Sequence, residues 1–188
     1  KELGNLKKNK VIDNKKTYSY SSEINSDLFN ICFVKPNNYI HSDALYDLSQ
    51  LIFHGIRDAK YKCDLNINTL RNDCINIVIG PHLLPINTLK NIKERVIFIN
   101  TEQIKSCKNQ WLGFIKSSSN KNTIIWDYNK ENIKLIKGKK PLIKCFFLKI
   151  GYNKKLNRLN KYVGIKKEID LLFYGSINKR RSKIIKEI

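Results

Sequence analysis

Short, uninterrupted apolar runs alternate along this chain with segments in which apolar residues recur every three or four positions. Uninterrupted runs predict strands that are buried on both faces, because such strands need no polar side. These strands are predicted at residues 31–34, 75–79, 95–99, 123–126, 145–148 and 170–174. A weaker, alternating pattern at residues 63–67 predicts an edge strand.

The segments between the runs predict amphipathic helices. The apolar residues that mark these helices are Leu45, Leu48, Leu51, Ile52 and Ile56, then Ile104, Cys107, Trp111 and Phe114, and finally Ile133 and Ile136. We expect the first helix to span about residues 43–57, with Ser42 as its N-cap. Gly138 is the predicted C′ glycine of the third helix, and a last helix is expected from about Arg180.

Buried strands that alternate with amphipathic helices are typical of a doubly wound α/β fold, in which helices cover both faces of a mostly parallel, Rossmann-like sheet. We assign this fold to residues 29–151 of the 188-residue chain. Residues 1–28 are polar and predict a flexible lead-in, and residues 152–168 predict a linker. Residues 169–188 would supply the first strand and helix of a second unit. Because the chain contains no methionine, we expect it to be part of a longer protein.

The chain is strongly basic, with 36 Lys and Arg against 16 Asp and Glu and a formal net charge of +20. Such a balance favours an anionic partner, but Lys, Asn and Ile are also what an AT-rich coding sequence produces. Residues 130–167 carry mostly single lysines between Ile, Leu and Asn, which is typical of a solvated face. We therefore expect no nucleic-acid partner. The alternative is a non-catalytic basic α/β module that binds nucleic acid or another polyanion through this segment.

The remaining composition limits the chemistry and the compartment. The five cysteines form no C-x-x-C pair and lie mostly in apolar runs, which favours a reducing cytoplasm. The sequence contains no run of 18 apolar residues, so no membrane span is predicted. The basic surface nevertheless favours a peripheral contact with the inner membrane face. No two His or Cys residues have metal-ligand spacing, and no P-loop or G-x-G-x-x-G occurs, so we expect no bound metal or cofactor.

Polar residues collect directly after the predicted strands. In an open α/β sheet these positions share one edge, which is where ligands bind. The residues are Asn37, Asn38, His41, Ser42, Gly80, His82, Glu102, Gln103, Asp127 and Tyr128. The alternative is that they are ordinary loop and cap residues. His41 is the first candidate general base, because a helix N-terminus favours a neutral imidazole, and Glu102 is the second. His54 lies in mid-helix and is expected to be structural.

The polar cluster after the last strand has the most specific pattern. Gly175 permits a ligand to approach the backbone closely, and the amides that open the following helix favour an anion. Arg180 and Arg181 can fork onto phosphate oxygens, and coding bias would have supplied lysine instead. The alternative is a solvated turn followed by a basic first helical turn.

Residues 170–181, D-L-L-F-Y-G-S-I-N-K-R-R, resemble the D-V-L-F-Y-G-S-x-N-x-R-R signature of bacterial glycosyltransferase-like proteins of the GT-B class. Shorter stretches resemble the same proteins in order, so that the resemblance covers roughly residues 30–188. These stretches are V-K-P at residues 34–36 with His41 and Ser42, N-I-V-I-G at 76–80 with residues 82–84, I-N-T-E-Q at 99–103, W-D-Y-N at 126–129 with Asn132 and Ile133, and Gly151 with Tyr152.

The resemblance implies a glycosyltransferase with two Rossmann-like domains, of which this chain supplies the N-terminal, acceptor-side half. A nucleotide-diphosphate sugar would be the co-substrate, and the acceptor would be a carbohydrate, a lipid-linked sugar or a protein. The chemistry would need no bound metal, because a helix dipole and basic side chains stabilise the leaving diphosphate. The implied donor-phosphate residues are Gly175, Ser176, Asn178, Arg180 and Arg181, and the implied acceptor-side residues are His82, Gln103, Asp127 and Tyr128.

The chain departs from the family pattern in three places. Lys35 stands where Asn is expected before Pro36, and Lys149 stands where Pro is expected before Gly151. The sequence also stops at Ile188, before most of a donor domain. We therefore expect this piece alone to bind a donor weakly and to transfer little.

Overall fold

Six strands form one fully parallel sheet in the computed structural model, which describes residues 9–11, 27–37, 39–105, 113–118, 123–158, 164, 166, 168–173, 175 and 177–187. The sheet strands are β2 (Leu28–Phe33), β3 (Lys62–Ile67), β5 (Ile75–Ile79), β6 (Val96–Asn100), β7 (Thr123–Asp127) and β8 (Lys144–Phe147). The short strands β1 (Asn9–Val11) and β4 (Thr69–Arg71) form a separate antiparallel pair.

Helices connect most of the strands. In the described part of the chain the α-helices are α1 (Tyr46–Asp58), α2 (Ile86–Lys90), α3 (Gly113–Ser117), α4 (Lys130–Lys139) and α5 (Lys179–Lys186). Single 3₁₀ segments cover Ile40–Leu45, Pro81–Leu83 and Lys154–Leu156. No described helix is long and apolar enough to cross a bilayer.

The order of strands across the sheet is β3-β2-β5-β6-β7-β8. β2 is the first strand of this sheet in chain order; β3 lies on one side of it, and the chain then crosses to β5 on the other side. Phe33 shows this reversal, because it pairs with Ile67 of β3 and with Ile79 of β5. The reversal creates a switch point at the carboxyl ends of β2 and β5, where open α/β sheets characteristically bind ligands.

The two faces of the sheet build two separate core layers. One layer contains Ile31, Ile77, Ile79, Ile97 and Ile99, which pack against the apolar stripe of α1. The other layer contains Val78, Phe98, Phe114, Ile125 and Ile136, together with side chains of α2 and the residues around it. Most strand residues in both layers are β-branched, which suits a pleated, fully covered surface. A fully buried side chain of this size contributes roughly 1.5–3 kcal/mol.

A short ribbon, rather than a helix, makes the connection from β3 to β5. The Asn68 N–H donates to Phe33 O at the carboxyl end of β2, and Arg71 then lies beside Asn76 near the start of β5. β4 therefore runs back across the sheet. Its Thr69 carbonyl accepts a hydrogen bond of 2.9 Å from Asn30 Nδ2. Two bonds with Asn76 hold Arg71: its N–H donates to Asn76 Oδ1 (2.9 Å) and its carbonyl accepts from Asn76 Nδ2 (2.8 Å).

The Arg71 side chain completes this anchor. Its guanidinium is buried and donates two hydrogen bonds to the Asp73 carboxylate, at 3.0 and 2.8 Å, and a further one to Asp64. We call Asn30, Asn76, Arg71, Asp64 and Asp73 the ribbon cluster. The cluster explains why β2 and β5 each carry a fully buried asparagine among their apolar residues: the two amides bind the backbone that lies on the sheet.

The parallel sheet confirms the α/β fold, and the strands predicted within residues 29–151 are present with ends that shift by three residues or fewer. The edge strand predicted at residues 63–67 is also confirmed, as β3. Part of the predicted second helix, including Cys107 and Trp111, lies outside the described residues, and its end corresponds to α3.

Two helix boundaries differ from the prediction. Ser42 is not an N-cap: it lies inside the 3₁₀ segment, where its hydroxyl donates to Tyr39 O at 2.8 Å instead of accepting from an amide. Gly138 lies within the last turn of α4, and Lys140 closes that helix through its N–H to Ile136 O. A Cβ added at Gly138 would meet nothing within 4 Å, so the position does not require glycine.

The chain divides into two compact units, unit 1 (Lys1–Leu156) and unit 2 (Asn157–Ile188). Unit 2 contains α5. Where the sequence predicted a strand at residues 170–174, the described residues 170–173 form none. Leu171 and Leu172 are exposed there, and a strand is stable only when a neighbouring strand binds its backbone. Tyr174 lies outside the described residues.

Candidate functional site

The carboxyl end of β6 fixes the backbone of Glu102. Asn100 is the last residue of β6 and is fully buried. Its Nδ2 donates to Glu102 O at 2.9 Å, and its Oδ1 accepts from the Glu102 N–H at 3.1 Å. From α4, Asn132 Nδ2 donates to the same Glu102 carbonyl at 2.8 Å. Three side-chain hydrogen bonds therefore hold one residue of an otherwise irregular loop.

Asp127 binds both asparagines that hold Glu102. Its carboxylate accepts from Asn100 Nδ2 at 2.6 Å, from Asn132 Nδ2 at 3.2 Å and from the Asn129 N–H at 2.7 Å. Burial raises the pKa of Asp127, and these hydrogen bonds oppose the rise. The sequence predicted Asp127 as an acceptor-side residue that contacts a ligand at the edge of the sheet. Asp127 is instead fully buried and does not reach a ligand there. Its hydrogen bonds position Asn100 and Asn132. We call Asn100, Asp127, Asn132 and Glu102 the Glu102 cluster.

His82 lies against the Glu102 carboxylate. The distance from His82 Nε2 to Glu102 Oε1 is 3.4 Å, and the two side chains are 4% and 29% exposed. Burial lowers the pKa of His82, although the neighbouring carboxylate opposes the effect, so the imidazole is neutral at pH 7. Glu102 is therefore the member of the pair that a ligand can reach.

A left-handed turn at Gly80 lets the chain bring His82 next to Glu102. Gly80 follows β5 with φ of 81° and precedes the 3₁₀ segment that carries His82. A side chain at Gly80 would be strained by that φ, and its Cβ would lie 3.3 Å from Leu45 Cδ1. Glycine is thus required for the chain to turn at the end of β5.

Gln103 and Tyr128 form the rim beside Glu102. Gln103 Nε2 donates to the Tyr128 hydroxyl at 2.8 Å, and Gln103 Oε1 accepts from Asn129 Nδ2 at 3.3 Å. Burial raises the pKa of Tyr128, and the nearby Asp127 carboxylate adds to the rise, so the phenol stays protonated. Both side chains are partly exposed and offer hydrogen-bonding groups to a polar ligand.

In the loop after β2 the backbone of Lys35 is held by hydrogen bonds, whereas His41 is exposed to solvent. Asn68, at φ of 50°, accepts from the Lys35 N–H (2.8 Å) and donates to the Lys35 carbonyl (2.7 Å). His41 lies within the 3₁₀ segment rather than before a helix, and its ring contacts Tyr39 with centroids 5.5 Å apart. The contacts therefore pair His82 with Glu102 and Gln103 with Tyr128, whereas those of His41 are local. Asn37 is exposed, and Asn38 lies outside the described residues.

Unit 2 contains the predicted phosphate turn. Gly175 has φ of 133°, a conformation that favours glycine. Asn178 caps α5, because its Oδ1 accepts from the Arg181 N–H at 3.0 Å. The Arg181 guanidinium lies 5.9 Å from the Phe173 ring centre, and its Nη1 lies 3.7 Å from where a Cβ at Gly175 would be. Arg180 is exposed, and Ser176 lies outside the described residues.

The described cysteines are buried and poor nucleophiles. Burial raises the pKa of Cys32, Cys63 and Cys74 to about 12 and that of Cys145 to about 11. Their thiols are therefore protonated at pH 7, and protonated thiols do not attack substrates.

Asn100 and Asn132 stand in stretches that carry the family resemblance, but neither was predicted to hold Glu102. A possible signal was the polar residue that ends β6 in place of another apolar one. In a chain with so many asparagines, however, that signal has little contrast.

Comparisons of this chain with protein-family models, with curated proteins and with solved structures found no match.

Proposed function

We propose that this protein takes part in sugar transfer from a nucleotide-diphosphate sugar to a carbohydrate, lipid-linked or protein acceptor. The observation that carries the proposal is the accessible Glu102 carboxylate, which is fixed through its backbone beside a neutral imidazole at the ligand-binding edge of a parallel sheet. The motif of unit 2 adds an arginine that folds back over a glycine turn.

In the proposed reaction Glu102 is the general base. Its carboxylate takes the proton of an acceptor hydroxyl, and the hydroxyl oxygen forms a bond with the anomeric carbon of the donor sugar. The bond between that carbon and the diphosphate oxygen breaks, and the diphosphate leaves with the electron pair. His41, the first candidate base predicted from the sequence, becomes the second candidate, because its exposed ring lacks the fixed surroundings that Glu102 has.

The neighbours of Glu102 have supporting roles in this scheme. His82, held neutral by burial, does not form a strong ion pair that would compete for the carboxylate. Gln103 and Tyr128 would hydrogen-bond other acceptor hydroxyls from the rim.

The leaving diphosphate would bind to the turn of unit 2. Developing negative charge is stabilised by preorganised donors. The Arg181 guanidinium, which lies beside Gly175 and Phe173, and the first amides of α5 are donors of that kind, and the exposed Arg180 adds a second positive charge. The first turn of α5 contains no acidic residue that would oppose an anion.

Calorimetric titration tests the phosphate role. UDP-glucose, UDP-N-acetylglucosamine and GDP-mannose are titrated into the full-length parent protein and into its Arg180→Ala, Arg181→Ala variant. The matched control is Lys183→Ala with Lys186→Ala, which removes the same charge from the same helix. We expect the arginine variant to lose the binding heat and the control to bind within about twofold of the parent. The reason is that a guanidinium can bind two phosphate oxygens at once, whereas the lysine ammonium is a point charge. Equal binding by parent and arginine variant, or equal loss in both variants, would contradict the phosphate role.

A further inference from the structure

An apolar patch remains exposed where the sheet ends at β8. Phe146 is 54% exposed, Ile150 is 48% exposed and Tyr152 is 76% exposed. Phe146 pairs in register with Trp126 of β7, and Trp126 belongs to the core layer that packs on α1. The patch therefore continues the α1 face of the sheet beyond the area that α1 itself covers. Ile150 and Tyr152 line the same crevice, and exposed apolar side chains that lie together mark an interaction surface more often than scattered ones do.

A crevice of about 290 Å³ opens within this patch. It lies between α1 and residues 148–153, and its walls include Ile52, Ile56, Trp126 and Leu148. On the helix side the crevice meets Gly55, where an added Cβ would touch nothing within 4 Å. The crevice is therefore open enough for an apolar chain but small for a whole drug-sized ligand.

Lysines surround the apolar residues. Lys144, Lys149 and Lys154 are exposed in the same segment, and Lys149 also lines the crevice. Asp58, the carboxylate at the end of α1, is bonded to Lys155 Nζ at 2.5 Å and to Asn153 Nδ2 at 2.8 Å. The Lys155 ammonium balances the charge of the Asp58 carboxylate. The three exposed lysines therefore make the surface around the patch positive.

An anionic bilayer matches this combination better than the other occupants. Interfacial binding needs apolar side chains that enter the boundary between headgroups and acyl chains, and cationic side chains that meet the headgroups. A nucleic acid would use aromatic stacking and arginine forks, but Ile150 offers no stacking surface and residues 130–167 contain one arginine, Arg158. A second copy of the chain would bring +20 against +20.

We propose that this surface docks the protein on membranes with anionic headgroups. Phe146, Ile150 and Tyr152 enter the headgroup boundary, Lys144, Lys149 and Lys154 bind the headgroups, and the crevice accepts part of an acyl chain. Docking is shallow, because the outer edge of β8 carries backbone groups that must stay hydrated. The proposal is independent of sugar transfer.

Vesicle co-sedimentation tests the proposal, with phosphatidylcholine vesicles and vesicles of phosphatidylcholine and phosphatidylglycerol at 7:3, in buffer of physiological ionic strength. The test variant is Lys144→Gln, Lys149→Gln, Lys154→Gln. The control, Lys90→Gln, Lys93→Gln, Lys116→Gln, removes the same charge from exposed lysines in and around α2 and α3. We expect binding to the mixed vesicles alone. The test variant should lose roughly 100-fold in partition coefficient, about fivefold for each lysine, and the control less than about threefold.

A second variant examines the apolar residues. Phe146→Ser, Ile150→Ser, Tyr152→Ser should reduce vesicle binding at least tenfold, and circular dichroism should show an unchanged fold, because all three side chains are already exposed. Equal losses in the two lysine variants would overturn the proposal, because they would show that binding depends on the total charge of the protein and not on this surface. A dimer that the serine variant abolishes, or thirty-nucleotide oligo-dT that binds when the mixed vesicles do not, would also overturn it.

Fluorescence provides a readout that needs no substitution in the patch. The chain has two tryptophans, and a Trp111→Phe variant leaves Trp126, which lines the crevice, as the single emitter. Mixed vesicles with brominated acyl chains should quench Trp126 more than unbrominated vesicles do. Binding without additional quenching would place the contact elsewhere and contradict the proposal.

Discussion

The ribbon cluster and the Glu102 cluster use the same chemistry on one sheet, but with different results. In both, fully buried asparagines bind backbone groups, and a charged side chain is held by several hydrogen bonds. In the ribbon cluster the buried charge, Arg71, is matched by Asp73 and Asp64. In the Glu102 cluster the bonds end at a residue whose own carboxylate stays accessible. Buried polar networks therefore indicate a site only where they position a group that a ligand can touch.

The largest expected effect is on stability, in the ribbon cluster. Arg71→Ala should lower the free energy of unfolding by about 3 kcal/mol, because it leaves Asp73 and Asp64 without their guanidinium. Half of Asp64 is exposed, which keeps the loss at the lower end for a buried pair. Urea unfolding measures it. Arg57→Ala, on the exposed surface of α1, is the control and should change stability by less than about 1 kcal/mol. Similar values for the two variants would mean that Arg71 is not an anchor.

The second prediction separates the two clusters. Asn76→Ala and Asn100→Ala should each lower stability by about 2 kcal/mol, because each leaves buried polar partners unsatisfied. Only Asn100→Ala should also slow the release of nucleoside diphosphate from the donor sugars, by at least tenfold, because it removes two of the three side-chain hydrogen bonds that hold the backbone of Glu102. If both variants slow the release equally after correction for the folded fraction, the distinction between the clusters fails.

The pH dependence of stability provides a smaller effect. His82 has a lowered pKa in the folded state, so the unfolded chain binds a proton that the native chain does not as the pH falls below about 6.5. The contribution of His82 is therefore present above pH 6.5 and is lost on acidification. His82→Gln should flatten the decline in the free energy of unfolding between about pH 7 and 5. Identical pH profiles of parent and variant would show that His82 is not buried as described.

The smallest effect is a difference in thiol labelling. Cys74 lies near Arg71 and Asp73, and Cys145 lies near Asp127. Both raised pKa values predict slow alkylation by iodoacetamide at pH 8. Arg71→Ala should speed the labelling of Cys74, and Asn100→Ala that of Cys145, as read by peptide mass spectrometry. Equal acceleration of both cysteines in either variant would mean that the clusters open together.

The sequence predicted the sheet well because uninterrupted apolar runs such as residues 96–99 have few alternatives to a buried strand. It did not predict β4, because a three-residue strand held by Asn30 and Asn76 has no periodicity of its own. The run at residues 170–173 has the same apolar character as a strand, but strand formation depends on a neighbour that a local pattern does not reveal.

The candidate site was predictable only in part, because a local sequence pattern shows where a strand ends but not which residues meet there. The position of Glu102 after a strand follows from the chain pattern. Its contact with His82 depends on how neighbouring strand ends meet, and the burial of Asp127 depends on α4 lying above it.

In the full-length protein, turnover by a Glu102→Gln variant tests the central claim most directly. The account predicts that release of nucleoside diphosphate from UDP-glucose, UDP-N-acetylglucosamine or GDP-mannose falls by about 10²–10⁴, with donor affinity unchanged. Glu131→Gln is the matched control, because Glu131 is an exposed carboxylate paired with Lys134, and it should retain the parent rate. An unchanged rate in Glu102→Gln would contradict the assignment of Glu102 as the base, and no release with any of the three donors would contradict sugar transfer from them.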